Sequence, residues 1–209
     1  MSKGVPISRL IEPLILYVIL FLPGAMKTEP PPELVAFSTA AELRRILIFN
    51  VPSLALIWYL LLRKVPRFRL KDLYSALFAL PALLLTGFSI ALVSSRFELP
   101  AGLNIEAPPN ITGWIVMIFS CLSTGYLEES YFRYYLLGKL EAFGLSPLIA
   151  ILAGALLFSF CHIYEGPWGV LNAFLAGIML SLIFVRFRSI HGLALTHGLY
   201  NIFVYAMGV

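Results

Sequence analysis

The chain has 209 residues, of which 60% are hydrophobic and only 12% are charged. A soluble domain is typically about a quarter charged, so this composition excludes an ordinary soluble domain and indicates a protein that crosses the membrane several times. The net charge of +4 is interpreted as loop charge and predicts no nucleic-acid partner. Both cysteines, Cys121 and Cys161, lie inside apolar blocks, which argues against a disulfide framework.

Seven blocks without a charged residue predict seven membrane helices and no soluble domain. They are residues 13–26, 46–62, 73–95, 107–127, 142–161, 166–185 and 189–209. A hydrocarbon core takes roughly 20 apolar residues per helix, so the short first block is expected to begin earlier, near Ile7. Because further spans follow it, this helix is expected to be retained rather than cleaved as a signal peptide. The predicted fold class is an all-α, polytopic transmembrane bundle of about seven helices.

The basic residues between the blocks predict that the N-terminus is cytoplasmic. The densest basic cluster, residues 63–71, follows the second block, and such clusters mark the cytoplasmic side. Lys139 and Arg186 follow the fourth and sixth blocks. If successive helices alternate in direction, the basic residues after the second, fourth and sixth blocks all lie on the cytoplasmic side. Arg44 and Arg45 do not fit this pattern, since they precede the second block and would lie on the outer side. The expected location is the cell membrane, as a multi-pass protein of a bacterial inner membrane.

A pair of adjacent acids near the end of the fourth block is the first candidate functional feature. A charged side chain near the bilayer centre costs roughly 2.5–3.5 kcal/mol, so such groups usually face the bundle interior and have partners. If the helix continues through Leu140, Glu129 and Arg133 lie one turn apart and form an ion pair. Glu128 points about 100° away and lacks that partner, which suits a general base. The alternative is an acid pair at a helix end, solvated by headgroups.

Two of the three histidines, His162 and His197, are interpreted as lying within late membrane helices. His162 follows Phe158 by four positions and His197 precedes Asn201 by four, so each pair shares a helical face. Imidazole exchanges protons near neutral pH, and an amide offers two donors. Together they can hold a water beside a carbonyl carbon and stabilise the oxyanion that forms there. One intramembrane histidine is more often an interhelical hydrogen bond, but two histidines and an unpaired glutamate favour peptide hydrolysis.

Three motifs on successive apolar blocks resemble those of a known family. They are Glu128-Glu129-x-x-x-Arg133, Phe158-x-x-x-His162 and His197-x-x-x-Asn201. The family is the CPBP family, which comprises the type II CAAX prenyl endopeptidases and their bacterial relatives. The resemblance covers residues 107–209, which predicts a catalytic core of four spans after an N-terminal part, residues 1–106, of three spans. It implies an intramembrane endopeptidase with a cavity that opens toward the cytoplasm.

Carried over by position, the resemblance implies a role for each motif residue. Glu128 and His162 activate the water, His197 and Asn201 bind the oxyanion, and Glu129 and Arg133 support the site. A glutamate with two histidines also resembles a zinc ligand set, which would be Glu128, His162 and His197. The compact H-E-x-x-H spacing is absent, however. We therefore expect no cofactor, with zinc as the alternative.

The implied reaction is hydrolysis of a peptide bond near the C-terminus or the membrane segment of a substrate. The expected partners are a peptide or lipid-modified protein substrate and membrane lipids. Two other functions stay open: a non-catalytic binding or immunity protein that uses the same cavity, and a small transporter. The lack of inverted repeats weakens the transporter hypothesis. The third histidine, His191, is expected to contact headgroups at the start of the last helix.

Overall fold

The computed structural model describes residues 8–26, 36–61, 67–97 and 106–207, and every regular element in these ranges is helical. We number seven helices in chain order. They are α1 (Ser8–Leu20), α2 (Thr39–Leu60), α3 (Leu70–Phe97), α4 (Ile111–Phe143), α5 (Pro147–Phe160), α6 (Ile163–Phe187) and α7 (Ile190–Met207). A short helical turn, Leu22–Ala25, follows α1. The prediction of an all-α bundle of about seven helices is confirmed.

Helices α2, α3, α4 and α6 are each long and apolar enough to cross a membrane. Helices α1 and α5, with 13 and 14 residues, are shorter than the roughly 20 residues that a hydrocarbon core requires. The fifth predicted span is shorter than expected because Gly144, at a φ of 103°, ends α4, and Pro147 then begins α5. Helix α5 also ends at Phe160, before it reaches His162.

Glycines allow α4 and α7 to pack in close contact. A Cβ atom at Gly125 would lie 2.5 Å from the carbonyl oxygen of Ala194, and one at Gly198 would lie 2.9 Å from the Cα of Leu122. Since these distances are shorter than real Cβ contacts, the helices approach this closely only because neither residue has a side chain. The close packing brings His197, the neighbour of Gly198, against the middle of α4.

Polar side chains join α2 to α4, so the N-terminal helices contribute to the same bundle. Asn50 Nδ2 donates to Ser123 Oγ at 2.8 Å and to Thr124 Oγ1 at 3.0 Å. Trp58 Nε1 donates to Ser130 Oγ at 3.0 Å. Interhelical hydrogen bonds in membrane proteins stabilise by about 0.6 kcal/mol each on average. They fix the register of α2 along α4, with both helices running in the same direction.

Helix α4 changes its winding directly after the two acids. Residues Ser130–Leu136 form a π-helical segment, and regular α-helix resumes until Phe143. The helix therefore continues past Leu140, as predicted from the sequence. Single π-helical segments often occur at functional sites because they re-aim the side chains that follow them. Here the segment contains Arg133 and thereby sets its position relative to Glu129.

Most basic side chains of the described loops and helix ends lie at one end of the bundle, the end where α4 terminates. They are Arg69, Lys71, Lys139, Arg186 and Arg188. Lys139 Nζ lies 2.8 Å from Glu12 Oε2, which places the start of α1 at this end. Ser189 Oγ donates to the Asp72 carbonyl oxygen at 2.9 Å, which places the start of α3 there. Arg67 of the predicted basic cluster is also described and is exposed, whereas Arg63 and Lys64 lie outside the described residues.

Candidate active site

Two carboxylates near the middle of α4 face one imidazole on α7. His197 Nδ1 lies 2.7 Å from Glu129 Oε1, and its Nε2 lies 3.5 Å from Glu128 Oε2. Because an ionised carboxylate only accepts hydrogen bonds, Nδ1 carries a proton that it donates to Glu129. This contact leaves Nε2 facing Glu128 across a gap longer than a direct O–H or N–H hydrogen bond usually spans. Glu129 thus fixes the orientation of the imidazole, and the opposite ring nitrogen faces Glu128.

Glu129 is also held by Arg133 from the next turn of α4. Arg133 Nη1 lies 3.0 Å from Glu129 Oε1, and their side chains are only 1% and 0% exposed. The guanidinium also stacks over the Phe158 ring, with Cζ 4.4 Å from the ring centroid. The predicted ion pair is therefore present. Burial of an unpaired charge here would cost free energy of folding. The opposite charges of Glu129 and Arg133 offset that cost for each other. Glu129 Oε1 thus lies against both Arg133 and His197, and its predicted supporting role stays a prediction.

Glu128 is the accessible acid of the two. Its side chain is 16% exposed, whereas that of Glu129 is fully buried. It makes no hydrogen bond to any described residue, and His197 is its one ion-pair partner among them. An accessible carboxylate beside an imidazole is suited to take a proton from water. The arrangement agrees with the predicted division between a paired acid and a free one, while the catalytic role of Glu128 stays a prediction.

His162 does not lie within a helix, which corrects the interpretation from the sequence. It occupies the turn between α5 and α6, where its Nδ1 lies 2.9 Å from the Phe158 carbonyl oxygen. The ring centroids of His162 and Phe158 are 4.7 Å apart, and those of Phe158 and His197 are 5.9 Å apart. Phe158 therefore stands beside both imidazoles. His162 forms no ion pair or hydrogen bond with Glu128 in the described part of the chain.

Asn201 lies one turn beyond His197 on α7. Its side chain is half-buried and makes no hydrogen bond to any residue that the structure describes. An amide without a protein partner has both donors available for a substrate oxygen. The structure thus brings Glu128, Glu129 and His197 into direct contact. It places Asn201 on the same helix as that imidazole.

Arg45 is a residue near the site that the sequence analysis missed. Helix α2 begins at Thr39, so Arg45 lies inside the helix rather than in a loop before it. Its guanidinium interacts electrostatically with Glu128 of α4 and with Tyr164 at the start of α6. A signal was present in the sequence, because Arg45 was an exception to the charge pattern that set the orientation. Arg44, the second exception, forms no ion pair with a residue of the described ranges.

His191 is buried rather than placed among headgroups, which corrects a second interpretation. It is 7% exposed. Its Nδ1 lies 3.3 Å from the Tyr126 hydroxyl, and its ring meets Phe68 edge-on with 5.5 Å between centroids. Since these contacts join α7 to α4 and to the segment before α3, His191 contributes to helix packing.

The donor atoms at the site do not form a metal-binding group. Within the described ranges, no three His, Cys, Asp or Glu side chains are arranged to hold a metal ion. The Nδ1 atom of His197 bonds to Glu129 and that of His162 to the carbonyl oxygen of Phe158, so Nε2 is the remaining ring nitrogen in both histidines. A structural or catalytic zinc needs at least three protein ligands converging on one point. The alternative zinc set of Glu128 with the two histidines is not assembled in this way among the described residues, and the expectation of no cofactor stays a prediction.

Comparison with known proteins identifies the family of the helical core. The family model described as type II CAAX prenyl endopeptidase Rce1-like matches residues 110–203. No curated protein and no solved structure matches the chain. The matched segment runs from the residue before α4 into α7 and contains all three motifs, and the family implies a membrane protease of the CAAX type. The segment that contains all three motifs, residues 110–203, is therefore similar to the type II CAAX prenyl endopeptidase Rce1-like family.

Proposed function

We propose that the protein is an intramembrane endopeptidase that hydrolyses a peptide bond near the C-terminus or the membrane segment of its substrate. The observation that carries the proposal is the contact of His197 with two acids of different exposure. Buried Glu129 orients the imidazole at 2.7 Å, and accessible Glu128 faces it at 3.5 Å. An acid beside an oriented imidazole, in a segment of a protease family, supplies the base and the donor that hydrolysis requires.

In the proposed reaction, Glu128 takes a proton from a water molecule, and the hydroxide attacks the scissile carbonyl carbon. The carbonyl oxygen becomes an oxyanion, which accepts hydrogen bonds from the Asn201 amide and from Nε2 of protonated His197. Glu128 then transfers its proton to the leaving amine as the C–N bond breaks. Because Nδ1 of His162 bonds to the Phe158 carbonyl oxygen, the Nε2 atom of this histidine is the one available to a water molecule. We propose that this nitrogen orients the water together with Glu128.

We propose that this reaction runs without a metal ion. Dialysis of the purified protein against a strong chelator should then leave the cleavage rate unchanged, because each proton transfer is assigned to a side chain. The measurement is peptide cleavage before and after chelation, with the metal content determined by mass spectrometry on the same samples. Loss of activity on chelation, restored by added Zn²⁺ alone, would show that the water is activated by zinc instead.

The proposed substrate is a peptide or a lipid-modified protein reached from within the membrane. We also propose that the basic end of the bundle, with the N-terminus, is cytoplasmic. Most side chains that follow Glu129 on α4 are buried. Exposed Arg45 and half-buried Tyr164 interact electrostatically with Glu128 from the other direction. This supports access from the end where α4 begins, which is the outer side if the N-terminus is cytoplasmic. The expectation from the sequence, a cavity that opens toward the cytoplasm, is the alternative.

Sequencing of membrane-protein termini tests both proposals at once. Cells that carry wild-type protein should contain new termini that disappear when Glu128→Gln replaces it, and these should lie on the outer side of substrate proteins. Glu141→Gln is the matched control, because Glu141 lies on the same helix but pairs with Arg188 at the basic end. Termini common to all three strains would contradict the protease assignment and favour a binding protein. Glu128-dependent termini on the cytoplasmic side would reverse the orientation.

A further inference from the structure

A groove at the basic end of the bundle, between the start of α3 and the end of α6, has no part in the proposed reaction. Its volume is about 560 Å³. Arg69 and Lys71 supply its cationic side chains, and Leu77, Phe78 and Phe187 supply its apolar surface. We call it the basic groove. It offers cationic and apolar surface side by side, as a ligand with a charged head and an apolar body requires.

Two cations at the basic groove have no acidic partner among the described residues. Lys71 is exposed and forms no ion pair or hydrogen bond within the described ranges. The exposed guanidinium of Arg186 lies over the Phe187 ring, 5.5 Å from its centroid, and pairs with no acid in the same ranges. By contrast, Lys139 Nζ lies 2.8 Å from Glu12 Oε2 at the same end of the bundle. The groove therefore differs from its surroundings in carrying positive charge that no described acid balances.

The groove lining also contains an acid, Asp72, which does not present its charge at the surface. Its side chain is 5% exposed, its Oδ1 lies 3.2 Å from Arg69 Nη2, and its Oδ2 accepts a hydrogen bond from the Arg69 backbone N–H at 2.8 Å. The side chain of Arg69 is 56% exposed. Because a guanidinium has five N–H donors, Arg69 can bind an anion while it stays paired with Asp72. The acid thus holds the arginine at the groove.

The side chains along α3 follow the same order as the layers of a membrane. Phe78 comes seven residues after Lys71, which corresponds to about 10–14 Å along the helix. The headgroup layer is about 5–8 Å thick on each side of the hydrocarbon core. When Lys71 lies among the lipid phosphates, Phe78 therefore lies beside the acyl chains. Its ring stacks on that of Phe187 from α6, with 5.2 Å between centroids, so both helices contribute to the apolar surface of the groove.

We propose that the basic groove binds one anionic phospholipid. The phosphate accepts hydrogen bonds from Arg69 and Lys71, and the acyl chains pack along Phe78 and Phe187. An anionic headgroup keeps a net negative charge that these cations attract, whereas the charges of a zwitterionic headgroup cancel. A free phosphate ion would match the cations but would leave the stacked rings without a partner. Binding at this groove does not depend on the proposed proteolysis.

The test measures lipid binding to the full-length protein in detergent micelles by native mass spectrometry. Phosphatidylglycerol and phosphatidylcholine with identical acyl chains are titrated separately. Wild type should bind one phosphatidylglycerol at least about 10-fold more tightly than phosphatidylcholine, since each cation near an anionic lipid contributes about fivefold. Lys71→Gln should weaken phosphatidylglycerol binding about fivefold and leave phosphatidylcholine binding unchanged. Lys139→Gln is the matched control, because this lysine lies at the same end but is paired with Glu12, and it should bind both lipids as wild type does.

The remaining outcomes would overturn the inference. Equal affinity of wild type for the two lipids would show that the groove does not distinguish headgroup charge. Equal weakening by Lys71→Gln and Lys139→Gln would show diffuse attraction to the basic end rather than one site. Millimolar inorganic phosphate, added in competition, should not displace the lipid, and displacement would mean that the groove binds the phosphate ion alone. Should Lys71→Gln not fold, Arg186→Gln must weaken phosphatidylglycerol binding about fivefold, and an unchanged affinity would contradict the inference.

Discussion

Replacement of Glu128 by glutamine should abolish peptide hydrolysis and leave the protein folded. The amide has the same shape but cannot take a proton from water, and general acid–base catalysis contributes about 10²–10⁴-fold to a rate. Because Glu128 performs both proton transfers in the proposed reaction, we expect kcat to fall by at least about 10³-fold. The midpoint of thermal unfolding should change little, because Glu128 is partly exposed and forms no hydrogen bond to a described residue.

The measurement is single-turnover cleavage of a quenched peptide in nanodiscs, alongside thermal unfolding of the same sample. Glu141→Gln serves as the control, since it removes a carboxylate from the same helix at the basic end and should cleave at the wild-type rate. Wild-type cleavage by Glu128→Gln would exclude this residue as the base. A loss of activity that accompanies unfolding in Glu128→Gln would mean that the acid supports the fold and would leave the base unidentified.

Replacement of Arg133 by methionine should be the most destabilising change at the site. Methionine keeps an unbranched side chain at this position but leaves the carboxylate of Glu129 buried without the arginine. Removing one partner of a buried ion pair costs about 3–5 kcal/mol. Activity should also be lost, because Glu129 would no longer hold His197 in a fixed orientation. The measurement is the free energy of unfolding in detergent micelles, together with peptide cleavage.

A double variant tests whether the loss of stability comes from the unpaired charge or from the changed shape of the side chain. Adding Glu129→Gln to Arg133→Met removes both charges and should restore most of the stability, since apolar or neutral replacements of a buried pair are often tolerated. Activity should stay low, because a glutamine amide is a weaker acceptor for the Nδ1 proton of His197. Lys139→Met is the control, since an exposed ion pair such as Lys139–Glu12 contributes only about 0–1 kcal/mol. Equal stability of Arg133→Met and Lys139→Met would refute the buried-pair argument.

The features that the sequence predicted correctly are those that depend on local periodicity. Seven apolar blocks correspond to seven helices. Charged residues are rare within a helix that has apolar surroundings and collect between such helices, so their spacing along the chain marks where the helices are. The pair of Glu129 and Arg133 is likewise local, since residues four apart on one helix always lie on the same face. The motif set also identified the family that the comparison later matched over residues 110–203.

The sequence predicted less well where helix ends decide the outcome. His162 was expected inside a helix, but the 14-residue α5 ends at Phe160 and leaves it in a turn. The sequence of an apolar segment does not distinguish a helix that runs through the whole segment from one that ends early in a turn inside the protein. The early start of α2 at Thr39, which brings Arg45 into a helix, has a different origin. Ser38 caps the helix there, since its hydroxyl oxygen accepts a hydrogen bond from the Ala41 N–H, and this local signal was not used in the sequence analysis.

By itself, the sequence therefore determined the helical class, the number of helices, the acid pair and the family of the core. Only the tertiary structure decided that Glu129 orients His197, that Phe158 stands beside both imidazoles, and that His191 is buried in helix packing. The physical reason is that periodicity specifies which residues share a face of one helix. Which faces of different helices meet depends on close contacts such as that of Gly125 with the backbone of α7, and these involve residues far apart in the chain.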